Sequence, residues 1–287
     1  MYAITGISGR VGGTVARELL AAGLSVRAVV RDLDKGRSWQ ALGCELAQAQ
    51  LNDSEALAAA FAGAEAVFVL PPPDFDPAPG FPEASARIDA ICAALRQARP
   101  QRVVSLSTVG AQAAQSNLLS QHTLMEKALA QLPMPVCVLR PAWFLDNCEW
   151  DIGSARDNGR FDSYLHPLDR AIPMVATADV GRVAARLLQE AATQSRVVEL
   201  EGPQPVSPRD IAAALARLVH RDVVAHEVAR EQWEERFRAQ GMRYPEPRMR
   251  MLDGFNEGWI DFESDPASRL RGEVDLDTVL SELALRR

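Results

Sequence analysis

Cysteine and histidine are scarce in this chain, four of each in 287 residues. Cys44, Cys92, Cys137 and Cys148 are scattered, without Cys-x-x-Cys or Cys/His ligand spacing. The histidines are equally dispersed, which argues against a structural metal site. Cys137 falls in an apolar strand pattern and Cys92 in a helical one, so buried thiols are expected. Positive charge is also short: the net charge is −7. That argues against nucleic acid as a partner, since a phosphate backbone needs a basic face. No apolar run approaches a membrane span, and no basic-then-apolar leader precedes the first strand. A cytoplasmic protein without a membrane partner is expected. No internal repeat or low-complexity tail occurs. The 47% hydrophobic and 24% charged content is that of an ordinary globule, long enough for one large α/β domain and a smaller lobe.

What is present begins at the first residues. Tyr2, Ala3 and Ile4 read as a buried strand, Thr5 to Gly12 as a turn, and Val15 to Leu20 as a helix. Gly6 suits a tight strand exit, Gly9 lets a pyrophosphate approach the backbone, and Gly12 lets the helix pack closely. The helix N-terminus would offer free N–H groups and a positive dipole end to phosphates. The spacing Gly-x-x-Gly-x-x-Gly departs from the usual dinucleotide fingerprint, and a tight turn without a ligand is the alternative. A second strand, Ser25 to Val30, stands at βαβ distance and favours nucleotide binding.

Arg31 ends that second strand, where the adenosine ribose of a dinucleotide is met. A carboxylate there suits the 2′-hydroxyl of NAD, and an arginine the 2′-phosphate of NADP. Arg31, with Arg10, Lys35 and Arg37 adding positive charge, favours NADP; Asp32 keeps NAD open. Further strands are read at 44–50, 66–70, 102–108, 136–139 and 197–200. Helices are read at 54–62, 83–98, 116–132, 179–192 and 208–219, the last with Ser207 as cap before Pro208. Alternating βα units predict a Rossmann-type doubly wound parallel sheet. Residues 223–229 read as a short strand, 231–240 and 275–285 as helices. The stretch 241–272 is apolar but irregularly spaced, suiting either a substrate cleft or a helical lobe packing its own core. The dinucleotide-binding domain is expected at 1–149 plus 172–202, and a smaller C-terminal α+β lobe at 150–171 plus 203–287. Between 71 and 82, the proline-rich loop Pro71-Pro72-Pro73 onward sits at a strand's ligand-facing end, as a rim over the cofactor or as a plain surface loop.

Thr5-Gly-x-x-Gly-x-x-Gly12 resembles the short-chain dehydrogenase/reductase superfamily in its extended and atypical branches. With Val30-Arg31-Asp32, Leu139-Arg140-Pro141-Ala142-Trp143-Phe144-Leu145-Asp146-Asn147 and Ile172 to Val180 in order, the chain looks like the NmrA-like family. The likeness covers about the first two-thirds and is weak beyond residue ~205. That family includes NADPH quinone reductases, triphenylmethane-dye reductases and non-catalytic NADP-sensing regulators. Extended members usually carry Asp-Leu after strand three; here Gln50-Leu51 stands instead, altering the adenine contact. The resemblance implies a cofactor set of Gly6, Ile7, Ser8, Gly9, Arg10, Val11, Gly12, Arg31, Gln50, Leu51, Leu70, Pro71, Pro72, Ser107, Thr108, His122, Pro141, Trp143 and Phe144, with no metal.

Ordinary short-chain reductases protonate the product alkoxide with Tyr-x-x-x-Lys on the helix after strand five. Here that helix contains no tyrosine. Leu118, Met125, Leu129 and Leu132 form one stripe with His122 at its edge, Glu126 one turn on, and Lys127 on the solvated side. The resemblance places Lys or His four residues before a Glu, which makes His122 the candidate catalytic group. A histidine bonding a backbone carbonyl at the domain seam is the alternative. As a proton donor it should titrate, with Glu126 raising its pKa and burial lowering it, in an order the sequence does not rank. Without a positioned donor, ketone reduction is disfavoured. A quinoid or aromatic dye-like acceptor needs less help, with Trp143 and Phe144 as an aromatic wall or as core. Two functions are expected: an NADPH-dependent reductase of such a small molecule, or an NADP-sensing regulator acting through a protein partner. A homodimer is compatible with either.

Overall fold

The computed structural model describes residues 1–72 and 74–285, so Pro73 of the proline loop lies outside the described residues. The chain runs β1 (Tyr2–Ile4), α1 (Arg10–Ala21), β2 (Val26–Val30), α2 (Leu33–Ala41), β3 (Glu45–Gln48), α3 (Ser54–Phe61), β4 (Ala66–Val69), α4 (Pro82–Ala98) and β5 (Arg102–Leu106). It continues α5 (Ser120–Leu129), β6 (Val136–Pro141), β7 (Trp143–Phe144), α6 (Glu149–Asn158), β8 (Arg160–Ser163), β9 (Met174–Val175), α7 (Thr177–Gln189) and β10 (Arg196–Glu201). The last elements are α8 (Pro208–Val219), β11 (Val224–Glu227), α9 (Trp233–Ala239), α10 (Glu246–Glu257), β12 (Leu270–Arg271) and α11 (Leu276–Leu285).

Eight strands form one parallel sheet in the order β3-β2-β1-β4-β5-β6-β10-β12. Alternation along each strand explains the two helical layers. Tyr2, Ile4, Ala66, Phe68, Val104 and Leu139 join one core, built with α1, α6, α7, α8 and α11. Ala3, Val67, Val69, Val103, Val136 and Val138 join the other, built with α3, α4 and α5. The doubly wound sheet read from the sequence is therefore present. A smaller core, Val228, Trp233, Phe237 and Leu252, holds α9 and α10 together. β8 and β11 pair as a small parallel sheet of their own.

Ser207 and Asp210 cap α8 reciprocally, with Pro208 at the first helical position, as its sequence predicts. The irregular stretch 241–272 contains α10, in keeping with the helical alternative for this stretch. Pro245 is its N-cap residue and Pro247 lies in its first turn, where a missing N–H breaks no intrahelical bond. One expectation is corrected: the sheet does not finish with the strand at 197–200. β12 adds an eighth strand by pairing Leu200 with Leu270 and Glu201 with Arg271. Buried Asp179 holds the chain just beyond, accepting the N–H groups of Glu273 and Val274 at 3.0 and 2.9 Å.

Candidate active site

Because the sheet is parallel, the exits of β1 to β6 share one edge, and between β1 and β4 the strand order reverses. Such a switch point opens a crevice. Thr5 closes its floor: its hydroxyl donates to the Phe68 carbonyl at 3.1 Å and accepts the Leu70 N–H at 2.9 Å. Gly6 has φ +63, a left-handed turn that favours glycine. A Cβ on Gly12 would lie 2.3 Å from the Gly6 carbonyl oxygen, so only glycine lets α1 start against this turn. Ile7 and Val11 anchor the turn in the core, while Ser8 and Gly9 are exposed. No side chain caps α1 and no acid lies in its first turn. Its amide groups are left for an anion.

Arg31 is exposed at the end of β2 and makes no ion pair among the described residues. The Asp32 carboxylate is occupied locally, accepting the Asp34 N–H at 2.9 Å as the N-cap of α2. That favours a 2′-phosphate over a ribose hydroxyl at this position. Gln50 and Leu51 leave β3 beside it, and Leu70, Pro71 and Pro72 leave β4 across the crevice, Leu70 packing on Gly6. One expectation changes: Arg10 does not lend its charge to Arg31. Its guanidinium turns to Glu149 at 2.8 Å and Asp146 at 3.4 Å. Asp146 also accepts the Thr177 N–H at 2.8 Å, joining the starts of α1 and α7. Arg37 is paired with Asp34.

On the other side of the crevice, a buried ionic network fixes α5. Arg140, at the end of β6, meets Glu126 at two points, Nε to Oε1 at 3.0 Å and Nη2 to Oε2 at 2.6 Å. The Ser107 hydroxyl, leaving β5, also donates to Glu126. Arg140 reaches Glu263 at 2.8 Å and lies 3.9 Å from Glu199, which accepts the N–H groups of Glu263 and Ser264. The motif contains Arg140, but its partners were missed by sequence reasoning. The available signal was a charge inside each apolar strand, Arg140 in β6 and Glu199 in β10, since a buried charge needs a partner.

With Glu126 held at the strand ends, His122 stands one helical turn nearer the crevice on the same face. Its Nδ1 is buried and has no hydrogen-bond partner among the described residues. Burial lowers the imidazole from 6.5 to about 4, outweighing the Glu126 charge, which raises it. Of the two effects that the sequence leaves unranked, burial is therefore the larger. At neutral pH the ring is neutral, and its buried unpartnered nitrogen suits a ligand's hydrogen-bonding group. Lys127 is exposed.

Pro141 is buried, and Trp143 and Phe144 are half-buried. Trp143 packs edge-on against Phe255 of α10, ring centres 4.9 Å apart, and touches both the main and the smaller core. The Thr108 hydroxyl donates to the Val109 carbonyl. The proline loop is tied down at both sides. Gln121 donates to the Asp74 carbonyl at 3.0 Å, and Asp76 accepts the N–H groups of Arg243 and Tyr244 at 3.0 and 2.6 Å. All four cysteines are buried, and burial pushes each thiol's pKa up. Among the described residues no group of three His, Cys, Asp or Glu could hold a metal ion. Among the same residues no helix is long and apolar enough to cross a membrane.

A dinucleotide fits these groups: uncapped amides at α1 and, among the described residues, an Arg31 without an ion pair and an unpartnered His122 nitrogen across the switch point. A family model described as NAD(P)H-binding matches residues 6–191. The chain is 27% identical over 259 residues to an NAD(P)H azoreductase of Xenophilus azovorans, covering 90% of this chain and 85% of that one. It is 24% identical over 278 residues to quinone oxidoreductase 2 of Escherichia coli, covering 95% and 94%. An NADPH complex of an Escherichia coli quinone oxidoreductase superposes with a TM-score of 0.81 at 23% identity, covering 99% of this chain and 100% of that one. The Citrobacter sp. triphenylmethane reductase with NADP(H) gives 0.80 at 21%, covering 98% and 99%. The chain belongs to the NAD(P)H-binding family and is an NAD(P)H-dependent reductase.

Proposed function

We propose that this chain carries hydride from NADPH to a quinoid or comparably conjugated aromatic acceptor, with 150–171 plus 203–287 as the lobe that receives it. The observation that carries this reading is His122. Burial holds its imidazole neutral at pH 7, and α5 has no tyrosine to protonate an alkoxide. Reducing an isolated ketone needs a proton donor in the transition state. A quinone spreads the incoming charge over its conjugated system, so positioning and exclusion of water suffice. When bound, NADPH supplies the hydride. Arg31 would hold its 2′-phosphate, the first amides of α1 its pyrophosphate, and the His122 ring would hydrogen-bond at the nicotinamide end. Trp143, braced on Phe255, would form one apolar wall for the acceptor. The azoreductase and quinone oxidoreductase names of the relatives support a conjugated acceptor.

The test is loss of NADPH absorbance with a panel of quinones, azo compounds and simple ketones. Turnover with the conjugated acceptors and none with the ketones is expected. Tight binding of NADPH and NADP+ without turnover on any acceptor would favour a regulator that senses the cofactor pair.

A further inference from the structure

Six arginines occur between residues 230 and 250, and five of them are neutralised. Arg230 and Arg250 pair with Asp253 at 2.6 and 3.6 Å, Arg238 with Glu234 at 2.9 Å, Arg243 with Asp76 at 3.7 Å, and Arg236 with Asp162. Arg248 is the exception. No carboxylate among the described residues lies within ion-pair distance of it. It is half-buried, its guanidinium 4.5 Å over the ring of Phe237 and its Nη1 3.7 Å from the Met242 sulfur. Burial pushes its pKa down, a sign that the surroundings remove water without supplying a counter-charge. Keeping a cation this way costs stability unless a ligand completes it.

Its place in the fold says which ligand. The Pro247 carbonyl accepts the Leu118 N–H at 2.8 Å, tying the start of α10 to the segment that leads into α5, four residues before His122. Arg243 and Tyr244 hold the proline loop through Asp76, and Trp143 joins the smaller core to the main one. Arg248 therefore stands in the lobe beside Phe237, Met242 and Tyr164, next in sequence to the Pro247 tie and away from Arg31 at the end of β2.

We propose that Arg248 determines acceptor specificity by pairing with an anionic substituent, a carboxylate or sulfonate, on the aromatic acceptor. This rests on the reading of the lobe as the acceptor site. A guanidinium fork matches a planar carboxylate or one face of a sulfonate, and the Phe237 ring below it fixes the fork's plane. The same charge disfavours cationic dyes, which it would repel in a partly desolvated place.

Anthraquinone-2-carboxylate and 2-(hydroxymethyl)anthraquinone share one ring system and differ in charge. Each is titrated by calorimetry into the protein saturated with NADP+, where no hydride can move. The carboxylate is expected to bind about tenfold tighter. Arg248→Met should remove that preference while changing the neutral compound's affinity by less than about threefold, and Arg248→Lys should keep part of it. NADPH affinity should stay unchanged in both variants. Equal binding of the two compounds to the wild type, or a preference that survives in Arg248→Met, overturns the proposal. A preference that depends on Arg248 in a protein that never oxidises NADPH would support it and count against hydride transfer alone.

Discussion

Arg140 and Glu126 clasp each other at two points, so the helix carrying His122 is pinned to the exit of β6 by a buried ion pair. Removing one partner strands the others. Arg140→Met would leave Glu126 and Glu199 buried without their cation, and a loss of about 3–5 kcal/mol in unfolding free energy is expected. Urea denaturation at neutral pH measures it. A loss below about 1 kcal/mol would mean that water already screens the cluster.

Arg31 should decide cofactor choice. Arg31→Ala is expected to weaken NADPH binding roughly tenfold or more and leave NADH unaffected, because only NADPH carries the 2′-phosphate. Asp32→Asn should keep the NADPH preference, since that side chain caps α2. Calorimetric titration of both cofactors reads both variants. Equal wild-type affinities would return Asp32 to the ribose.

The pH behaviour of His122 follows from its depressed pKa. The neutral ring persists down to about pH 4, so kcat should stay level from roughly pH 6 to pH 9. His122→Ala should lower kcat without changing NADPH affinity. Unfolded, the imidazole titrates at 6.5; folded, at about 4. Its contribution to stability is present above 6.5 and is lost as the pH falls toward 4, a change on the order of 3 kcal/mol. His122→Gln should remove that slope. A wild-type kcat that tracks an ionisation near neutrality would overturn the neutral-ring reading.

Asp151 should produce the opposite slope. Burial, aided by the Asp162 charge, raises its carboxyl from 3.8 to about 7. The folded state therefore holds this proton more tightly than the unfolded chain does. Stability is lost as pH rises from 3.8 through 7, by up to about 4 kcal/mol. Asp151→Asn is expected to be more stable than the wild type at about pH 8 and equal to it at about pH 3.5. Urea melts at the two pH values decide, and an unchanged difference between them would place Asp151 in water.

The strand–helix repeat was legible because a parallel sheet buried on both faces leaves apolar runs at regular spacing. The cofactor edge was legible because Gly6 and Gly12 answer local backbone demands, one a left-handed turn and the other a close approach. The ionisation of His122 was not, since burial there depends on elements distant in sequence. Nor were the partners of Arg140, which come from residues 126, 199 and 263. The bounds of α10 were not legible, because the apolar residues of 241–272 are irregularly spaced and the sequence allowed a helical lobe without placing its helix. Arg248 was invisible as an exception because a sequence displays charges and not their pairing.

The late arrival of β12 bears on how the chain is made. Residues 270 to 274 emerge from the ribosome after the glycine turn, Arg31, α5 and every other strand of the sheet. Until they do, β10 presents an unpaired edge at Leu200 and Glu201, and the Asp179 carboxylate lacks the Glu273 and Val274 amides that it grips in the finished fold. The nascent cofactor half is therefore an open sheet, exposed to the strand-pairing errors that such edges invite and dependent on a contact some 90 residues downstream of Asp179 to seal it.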